Sequence, residues 1–417
     1  MKVLHISHSD ITGGAARAAY RLHRAQLSAG IDSSMLVHSK KSDDWTVIGP
    51  QGKFNRVLSL LRAPFASIID RLQKSSNVNL HSGNWFPSNI VKKINISDAE
   101  VVNLHWINGE AISIEDIARI NKPIVWTIHD MWPFCGAEHY TNDDETARWR
   151  QGYYKHNRSG SDKGIDIDRL VWQRKKSSWK KTIHIVSPSQ WLADCASQSS
   201  LFCRFPISVV PNVLNTNIYQ PLDNTFCRKV LGLPHDKLIV LFGAMGGGKD
   251  PRKGYDLLLE ALFELSKKLP KNSIECVVFG QSEPEQAPGL PFKTHWLGHI
   301  HDDATLALLY NAATVMVVPS RQENLPQTVT EAQACGTPVV AFNCTGLTDV
   351  VEHQQTGYLA KPYDNQDMAA GLQWLLENPA ECERLGLNAR QRAEELWSKD
   401  SVVEQYRKIY VEAKKYS

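Results

Sequence analysis

Short apolar runs alternate with stretches of helical spacing along the whole chain. In the first half the runs are Val3-Leu4-His5-Ile6, Val101-Val102-Asn103-Leu104, Ile124-Val125-Trp126-Thr127 and Ile183-His184-Ile185-Val186. In the second half they are Leu238-Ile239-Val240-Leu241-Phe242, Cys276-Val277-Val278-Phe279, Val315-Met316-Val317-Val318 and Val339-Val340-Ala341-Phe342. Runs this short and this apolar read as strands buried on both faces of a parallel sheet, joined by crossover helices. Both halves therefore predict doubly wound α/β domains. A short strand from Ile207 to Val210 ends at Pro211-Asn212-Val213, where a Pro/Asn-rich stretch leads to a new series. The expected division is residues 1–211, residues 212–397, and a final segment 398–417. In that segment Val402, Val403, Tyr406, Ile409, Tyr410 and Ala413 fall at helical spacing, predicting an amphipathic helix.

With 417 residues the chain is long enough for two domains with sizeable cores. Lys plus Arg number 47 against 44 Asp plus Glu, so the balance gives no reason to expect a nucleic-acid partner. Eight cysteines are scattered without a C-x-x-C pair, which predicts free buried thiols in a reducing cytoplasm and no metal site. The start, MKVLHISHSD, lacks the apolar core of a signal peptide, and no apolar run approaches the roughly 18 residues of a membrane span. The segment Phe54 to Leu72 and the basic, aromatic stretch Trp172 to Lys181 suit either a solvated face or peripheral contact with the inner face of an anionic membrane.

The most informative string is Pro319-Ser320-Arg321-Gln322-Glu323-Asn324-Leu325-Pro326-Gln327. It follows an apolar strand and opens a helix that stops at Gly336 before Thr337-Pro338. Proline near a helix start loses no hydrogen bond, and the free N–H groups there suit a diphosphate. Glu323 stands at the mouth of that helix and Glu331 farther in. Each carboxylate can accept from neighbouring hydroxyls, one from a sugar and the other from a ribose.

A second string, Gly243-Ala244-Met245-Gly246-Gly247-Gly248-Lys249, fits the G-x-x-x-x-G-K phosphate loop of nucleotide hydrolases. Asp250 then replaces the Ser/Thr that would hold magnesium, and Asp250-Pro251-Arg252-Lys253-Gly254 reads as further loop. The alternative is a glycine-rich loop closing over a pyrophosphate, with Lys253 neutralising the leaving group and Lys249 or Arg252 assisting. In the first half, Thr12-Gly13-Gly14-Ala15 follows the first strand and opens a helix, where glycine lets a ligand approach the backbone. The G-x-G-x-x-G fingerprint is absent, which argues against a nicotinamide cofactor. His105-Trp106 and His129-Asp130 stand at two strand ends, where ligands of open α/β sheets bind. Asp166-Ile167-Asp168 is formally a D-x-D metal motif, but without a preceding strand it reads as a helix start.

The run from Pro319 to Phe342 resembles the donor-site signature of family-four (group 1) retaining glycosyltransferases of the two-Rossmann, GT-B type, in a surface-polysaccharide subgroup. Gly346, His353, Thr356-Gly357-Tyr358-Leu359 and Asp364 match the same pattern, although Asn324-Leu325-Pro326 stands where glycine-aromatic-glycine is usual. The resemblance implies two Rossmann-like domains facing a cleft, the acceptor on the first and the nucleotide sugar on the second, with the final helix returning to the first. It implies transfer from a nucleotide-diphosphate sugar, UDP favoured, to a saccharide or lipid-linked saccharide, with retention and without a metal or other cofactor. His129, Glu323 and Lys253 would be catalytic. Gly13, Gly14, Lys249, Arg252, Lys253, Ile300, Glu323, Asn324, Leu325, Gln327 and Glu331 would hold the donor, and His105, Trp106 and Asp130 would lie beside the acceptor. A P-loop hydrolase and a non-catalytic sugar-nucleotide-binding module are the alternative readings.

Overall fold

The structure is a computed structural model, and it describes residues 1–50, 53–243, 250–285 and 289–416. The chain divides into two compact units: Met1–Val213 with Val402–Ser417, and Leu214–Ser401.

The first unit is built on a parallel seven-stranded sheet. In chain order its strands are β1 (Lys2–Ser9), β2 (Asp32–Ser39), β3 (Val47–Ile48), β5 (Val101–Leu104), β6 (Ile124–Thr127), β8 (His184–Ser187) and β9 (Ile207–Val209). The two remaining strands, β4 (Gln73–Lys74) and β7 (Lys163–Gly164), pair antiparallel as a separate ribbon. The sheet order is β3-β2-β1-β5-β6-β8-β9, so the chain runs one way from β1 and returns to its other side at β5. Strands β5, β6 and β8 are buried along their whole length, as apolar runs in a doubly covered parallel sheet should be. β2 escaped the apolar-run criterion because Asp32, Ser33 and Ser34 open it and its apolar residues come only afterwards.

The late helix Lys399–Ala413 completes this unit. Val402, Val403, Tyr406, Ile409, Tyr410 and Ala413 are buried with Val3, Val101, Val125 and Val186 of the sheet. Each buried aliphatic side chain contributes roughly 1.5–3 kcal/mol relative to exposure. The two tyrosine hydroxyls also reach polar groups in the interior: Tyr410 Oη accepts from Asn103 Nδ2 at 2.9 Å, and Tyr406 Oη lies 3.0 Å from Thr127 Oγ1.

Two sequence features take structural roles here. Asp166 caps the helix Ile167–Ser178 by accepting from the Arg169 N–H, and it pairs with Arg148 at 2.7 Å. In the basic, aromatic stretch Trp172, Lys175 and Trp179 are buried, while Lys176, Lys180 and Lys181 stand exposed. The Lys175 ammonium donates to the carbonyls of Trp132, Cys135 and Gly136 and lies 3.7 Å from the centre of the Trp132 ring. In the helix Lys53–Asp70, by contrast, Leu61, Phe65 and Ile68 stand exposed. Among the described residues no helix is long and apolar enough to cross a membrane.

The second unit has a parallel six-stranded sheet of β10 (Leu238–Gly243), β11 (Ile274–Phe279), β12 (Lys293–Trp296), β13 (Val315–Val318), β14 (Val339–Phe342) and β15 (Gly357–Ala360). Its order, β12-β11-β10-β13-β14-β15, reverses between β10 and β13. Five of the eight cysteines are buried and all are free, but Cys203 is exposed rather than buried.

Candidate functional site

In the second unit the reversal point lies between β10 and β13, and the loops leaving their carboxyl ends are tied together. Such reversal points are where open α/β sheets bind ligands. After β10 the chain makes a short 3₁₀ turn, Pro251–Lys253, capped by Asp250 through the Arg252 N–H, and the next helix starts only at Tyr255. That is the wrong local structure for a hydrolase phosphate loop, whose lysine opens the helix. Residues 244–249, with Gly246-Gly247-Gly248 and Lys249, lie outside the described residues. Arg321 N–H donates to the Arg252 carbonyl at 2.8 Å, joining the two loops. Gly254, at φ +65°, permits the approach: a Cβ there would stand 2.0 Å from the Pro319 carbonyl oxygen.

Glu323 is the hub of this junction and is buried. Its Oε1 accepts from Lys253 Nζ at 2.5 Å and from Ser320 Oγ at 2.9 Å. Arg252 Nη1 lies 3.5 Å from Oε2 while donating to the Gln322 carbonyl at 2.9 Å. Burial alone would push the Glu323 carboxyl up, but the charges of Lys253 and Arg252 and the bonds from Lys253 and Ser320 hold it below the usual range. It is therefore a carboxylate, with an ammonium beside it that is half-exposed at 40%. The backbone at Glu323 is held by Thr345 Oγ1 and by the Gly346 N–H. A Cβ at Gly346 would sit 1.5 Å from the Asn324 carbonyl oxygen, so only glycine fits.

Asn324 and Leu325 are buried and lead to Pro326, the N-cap of the helix Gln327–Ala334, which has no capping side chain. The first N–H groups of that helix thus end the same loop that carries Glu323. Glu331 lies inside the helix, buried, and its Oε2 accepts from the Tyr310 hydroxyl at 2.7 Å. Ile300, beyond β12, packs partly buried on the core of this unit.

In the first unit the reversal lies between β1 and β5. Gly13, at φ +89°, is the N-cap of the helix Gly14–Ser28 that follows β1 and brings no capping side chain of its own. Three imidazoles line up across neighbouring strands. His5 Nδ1 lies 2.9 Å from His105 Nε2, and His105 Nδ1 lies 3.2 Å from His129 Nε2. Behind them Gln26 Nε2 donates to the Tyr410 hydroxyl, which turns Gln26 Oε1 to the His5 Nε2–H at 2.9 Å. A neutral imidazole has one N–H. His5 Nδ1 must then accept from His105 Nε2–H, and His105 Nδ1 from His129 Nε2–H. The three rings share one tautomer, which leaves Nδ1 of His129 as its acceptor nitrogen. Burial pushes His5 down to about 3 and His129 to about 4. His105 is driven well below the ordinary range by burial and then by its two neighbours.

Trp106 and Asp130 are also linked: Trp106 Nε1 donates to Asp130 Oδ2 at 2.9 Å, and His139 Nδ1 is 2.6 Å from the same oxygen. Burial pushes Asp130 up, but His139, Trp106 and the Trp132 N–H outweigh it and keep it low. Sequence reading passed over His5, Gln26, Tyr410, His139, Ser320 and Thr345. His5 carried a visible signal, a histidine inside an otherwise apolar strand, and Ser320 stands three residues from Glu323; Gln26, Tyr410 and Thr345 act across longer separations.

Residues 223–392 match the family model described as glycosyl transferases group 1. The chain is 32% identical over 216 residues to a D-inositol 3-phosphate glycosyltransferase of Rhodococcus opacus, 48% of each chain. It spans about half the length of the curated relatives it matches first. Among solved structures it is similar to the sucrose-phosphate synthase of Thermosynechococcus elongatus, at TM-score 0.67 and 19% identity over the full length of both chains. It is also similar to Anabaena HepE, solved with UDP and glucose, at TM-score 0.65 and 16% identity over 99% of this chain and 100% of that one. These two show the fold, and it is that of GT-B glycosyltransferases.

Proposed function

We infer that this chain, which resembles the group 1 glycosyltransferases, is an enzyme that moves a sugar from a nucleotide-diphosphate donor, a UDP-sugar by preference, to a hydroxyl of a saccharide or lipid-linked saccharide. The observation that carries this reading is the junction of the loops after β10 and β13. It sets a carboxylate (Glu323), an ammonium (Lys253) and the N-terminus of the helix Gln327–Ala334 in one place. The carboxylate suits sugar hydroxyls, and the cation and amides suit a departing diphosphate. No step asks for a metal at the phosphates. Anabaena HepE, which shares this fold and was solved with UDP, supports the choice of base. Acceptor binding falls to the first unit, at Trp106 and Asp130, with His129 positioning the transferred sugar and the buried His105 holding His129 in place. Surface-polysaccharide assembly on the cytoplasmic side fits this chemistry. The exposed Leu61, Phe65 and Ile68 would be the patch that touches a membrane.

Retention of the donor's anomeric configuration is the sharpest consequence. The glycosidic bond breaks through an oxocarbenium-like state, and the attacked face sets the outcome. Glu323 is bound to Lys253 and Ser320, so it is held as a positioning group rather than freed as a nucleophile. A stabilised diphosphate on the leaving face can accept the acceptor's proton, which directs attack to that face. Proton NMR of fresh product, comparing its anomeric coupling with the donor's, decides the matter. An inverted product would overturn the mechanism.

Glu331→Ala is expected to weaken donor binding by about 1.5–3 kcal/mol, the worth of hydrogen bonds to a charged group. Titration calorimetry reads this directly. Tyr310→Phe, which leaves the carboxylate in place, should keep donor affinity, and equal losses in both variants would assign Glu331 to packing.

A further inference from the structure

His81, Glu138 and Asp168, all in the first unit, each turn one ligand atom to a common point, and the three atoms lie within 4.8 Å of one another. An isolated antiparallel bridge sets His81 opposite Glu138. Each side chain is anchored by its other polar atom. His81 Nδ1 is 2.7 Å from the Asn79 carbonyl oxygen and donates to it, so Nε2 carries the lone pair. Glu138 Oε1 accepts from the Tyr153 hydroxyl, and Asp168 Oδ2 accepts from Gln73 Nε2 at 2.5 Å. Of the inward atoms, His81 Nε2 and Glu138 Oε2 are buried without any hydrogen-bond partner. Asp168 Oδ1 accepts only weakly, from the Ala137 N–H at 3.3 Å, and lies 3.7 Å from His81 Nε2. Glu138 itself is only 5% exposed.

With both carboxyls ionised, every atom that faces inward is an acceptor; burial and the Asp168 charge push the Glu138 carboxyl well up, so without a cation it holds a proton toward Asp168. A buried carboxylate pair beside an imidazole lone pair is costly unless a cation fills the middle. The space is kept open by Gly136, where a Cβ would stand 2.7 Å from Glu138 Oε2 and 2.7 Å from Asp168 Cβ. Ligands with an outward atom fixed by a carbonyl, a hydroxyl and an amide have the outer-shell support typical of metal sites.

We propose that His81, Glu138 and Asp168 bind one divalent transition-metal ion, zinc by preference. One imidazole nitrogen and two carboxylate oxygens form a three-ligand set suited to zinc, whereas calcium takes about 6–8 oxygens. The two carboxylates neutralise the ion. Its role is to clamp three segments: the chain at His81, the loop carrying Glu138, and the start of the helix Ile167–Ser178. His139, which holds Asp130, is next in sequence to Glu138, so the clamp would also steady the His129–Asp130 loop. The proposal stands on the first unit alone and does not depend on the transfer reaction.

The test uses the full chain without an affinity tag, stripped with a chelator and titrated with zinc chloride, then manganese chloride. Calorimetry and plasma mass spectrometry are expected to give one zinc per chain, bound more tightly than manganese, with a higher Tm in the zinc-loaded protein. His81→Ala and Glu138→Gln should each lower zinc affinity by at least about tenfold. Should either variant fail to fold, Tyr153→Phe keeps all three ligands and is expected to lose affinity by about tenfold through the outer shell alone. Zinc absent from the wild-type chain would mean that a proton shared by Glu138 and Asp168 fills the site, and would overturn the proposal. Equal binding by wild type and both ligand variants would overturn it as well.

Discussion

Replacing Lys253 by alanine is expected to lower kcat by about 10²–10³-fold, the usual cost of removing one group that stabilises charge in the transition state. The ammonium is half-exposed and already sits on the Glu323 carboxylate, so a donor held there meets a positive and a negative group side by side. As the sugar–oxygen bond breaks, charge accumulates on the diphosphate, and the attraction of Lys253 grows. An interaction that strengthens along the reaction affects kcat more than KM. The variant has a second consequence, because Glu323 then relies on Ser320 and on Arg252, 3.5 Å from its other oxygen. Lys253→Arg keeps the charge and should retain more turnover than the alanine variant. Steady-state kinetics at saturating donor are the measurement. Normal kcat in the alanine variant would remove Lys253 from the reaction.

The first unit is expected to lose stability steeply as pH falls below about 6.5. His5 and His23 are fully buried, and burial holds them down to about 3 and about 4. His23 is fixed in its neutral form between Ser33 Oγ at 2.7 Å and Thr46 Oγ1 at 2.8 Å. In the unfolded chain both titrate near the ordinary value of about 6.5. Below that pH the unfolded state binds protons that the folded state refuses, so stability falls with falling pH. The full contribution is present above about 6.5 and drains until the pH passes the folded values. Each histidine costs about 1.4 kcal/mol per pH unit in that window. Between about pH 6.5 and 5 the pair therefore removes roughly 4 kcal/mol, a large part of an ordinary stability of about 5–15 kcal/mol. His105, shifted in the same direction, adds to the loss. Tryptophan fluorescence follows this unit through its buried Trp126, Trp132, Trp149 and Trp179. Unchanged urea midpoints between pH 7 and 5 would show that the histidines accept protons without unfolding.

Apolar runs located the strands well: Val101–Leu104, Ile124–Thr127, Val315–Val318 and Val339–Phe342 are strands over those same residues. The signal was strong because these strands are covered on both faces. β12 escaped notice because it is partly exposed and mixes polar with apolar residues, and β15 because Gly357 and Ala360 leave only Tyr358 and Leu359 as large apolar positions. The loop of Glu323 was legible because its chemistry is local: a strand end, a proline at the helix start and a glycine after the helix. What lies behind each group was not legible. Tyr310 meets Glu331 from another helix, Thr345 reaches Glu323 from the next crossover, and Tyr410 reaches Gln26 across nearly the whole chain. No periodicity records such pairings, which exist only after folding. The D-x-D string reads as a helix start and is one: Asp166 caps the helix and pairs with Arg148, while Asp168 accepts from Gln73.

The late helix Lys399–Ala413 has a consequence for how the molecule is made. A ribosome finishes Met1–Val213 and all of Leu214–Ser401 before it releases Tyr406 and Tyr410. Until then Asn103, Thr127 and Gln26 lack the hydroxyls that meet them in the native state, and Val3, Val101 and Val125 lack their aliphatic cover. The unit translated first is thus the one completed last. During that interval it is an open sheet with an apolar, polar-studded face awaiting a helix, the state in which a nascent chain depends most on a chaperone and is most exposed to a protease.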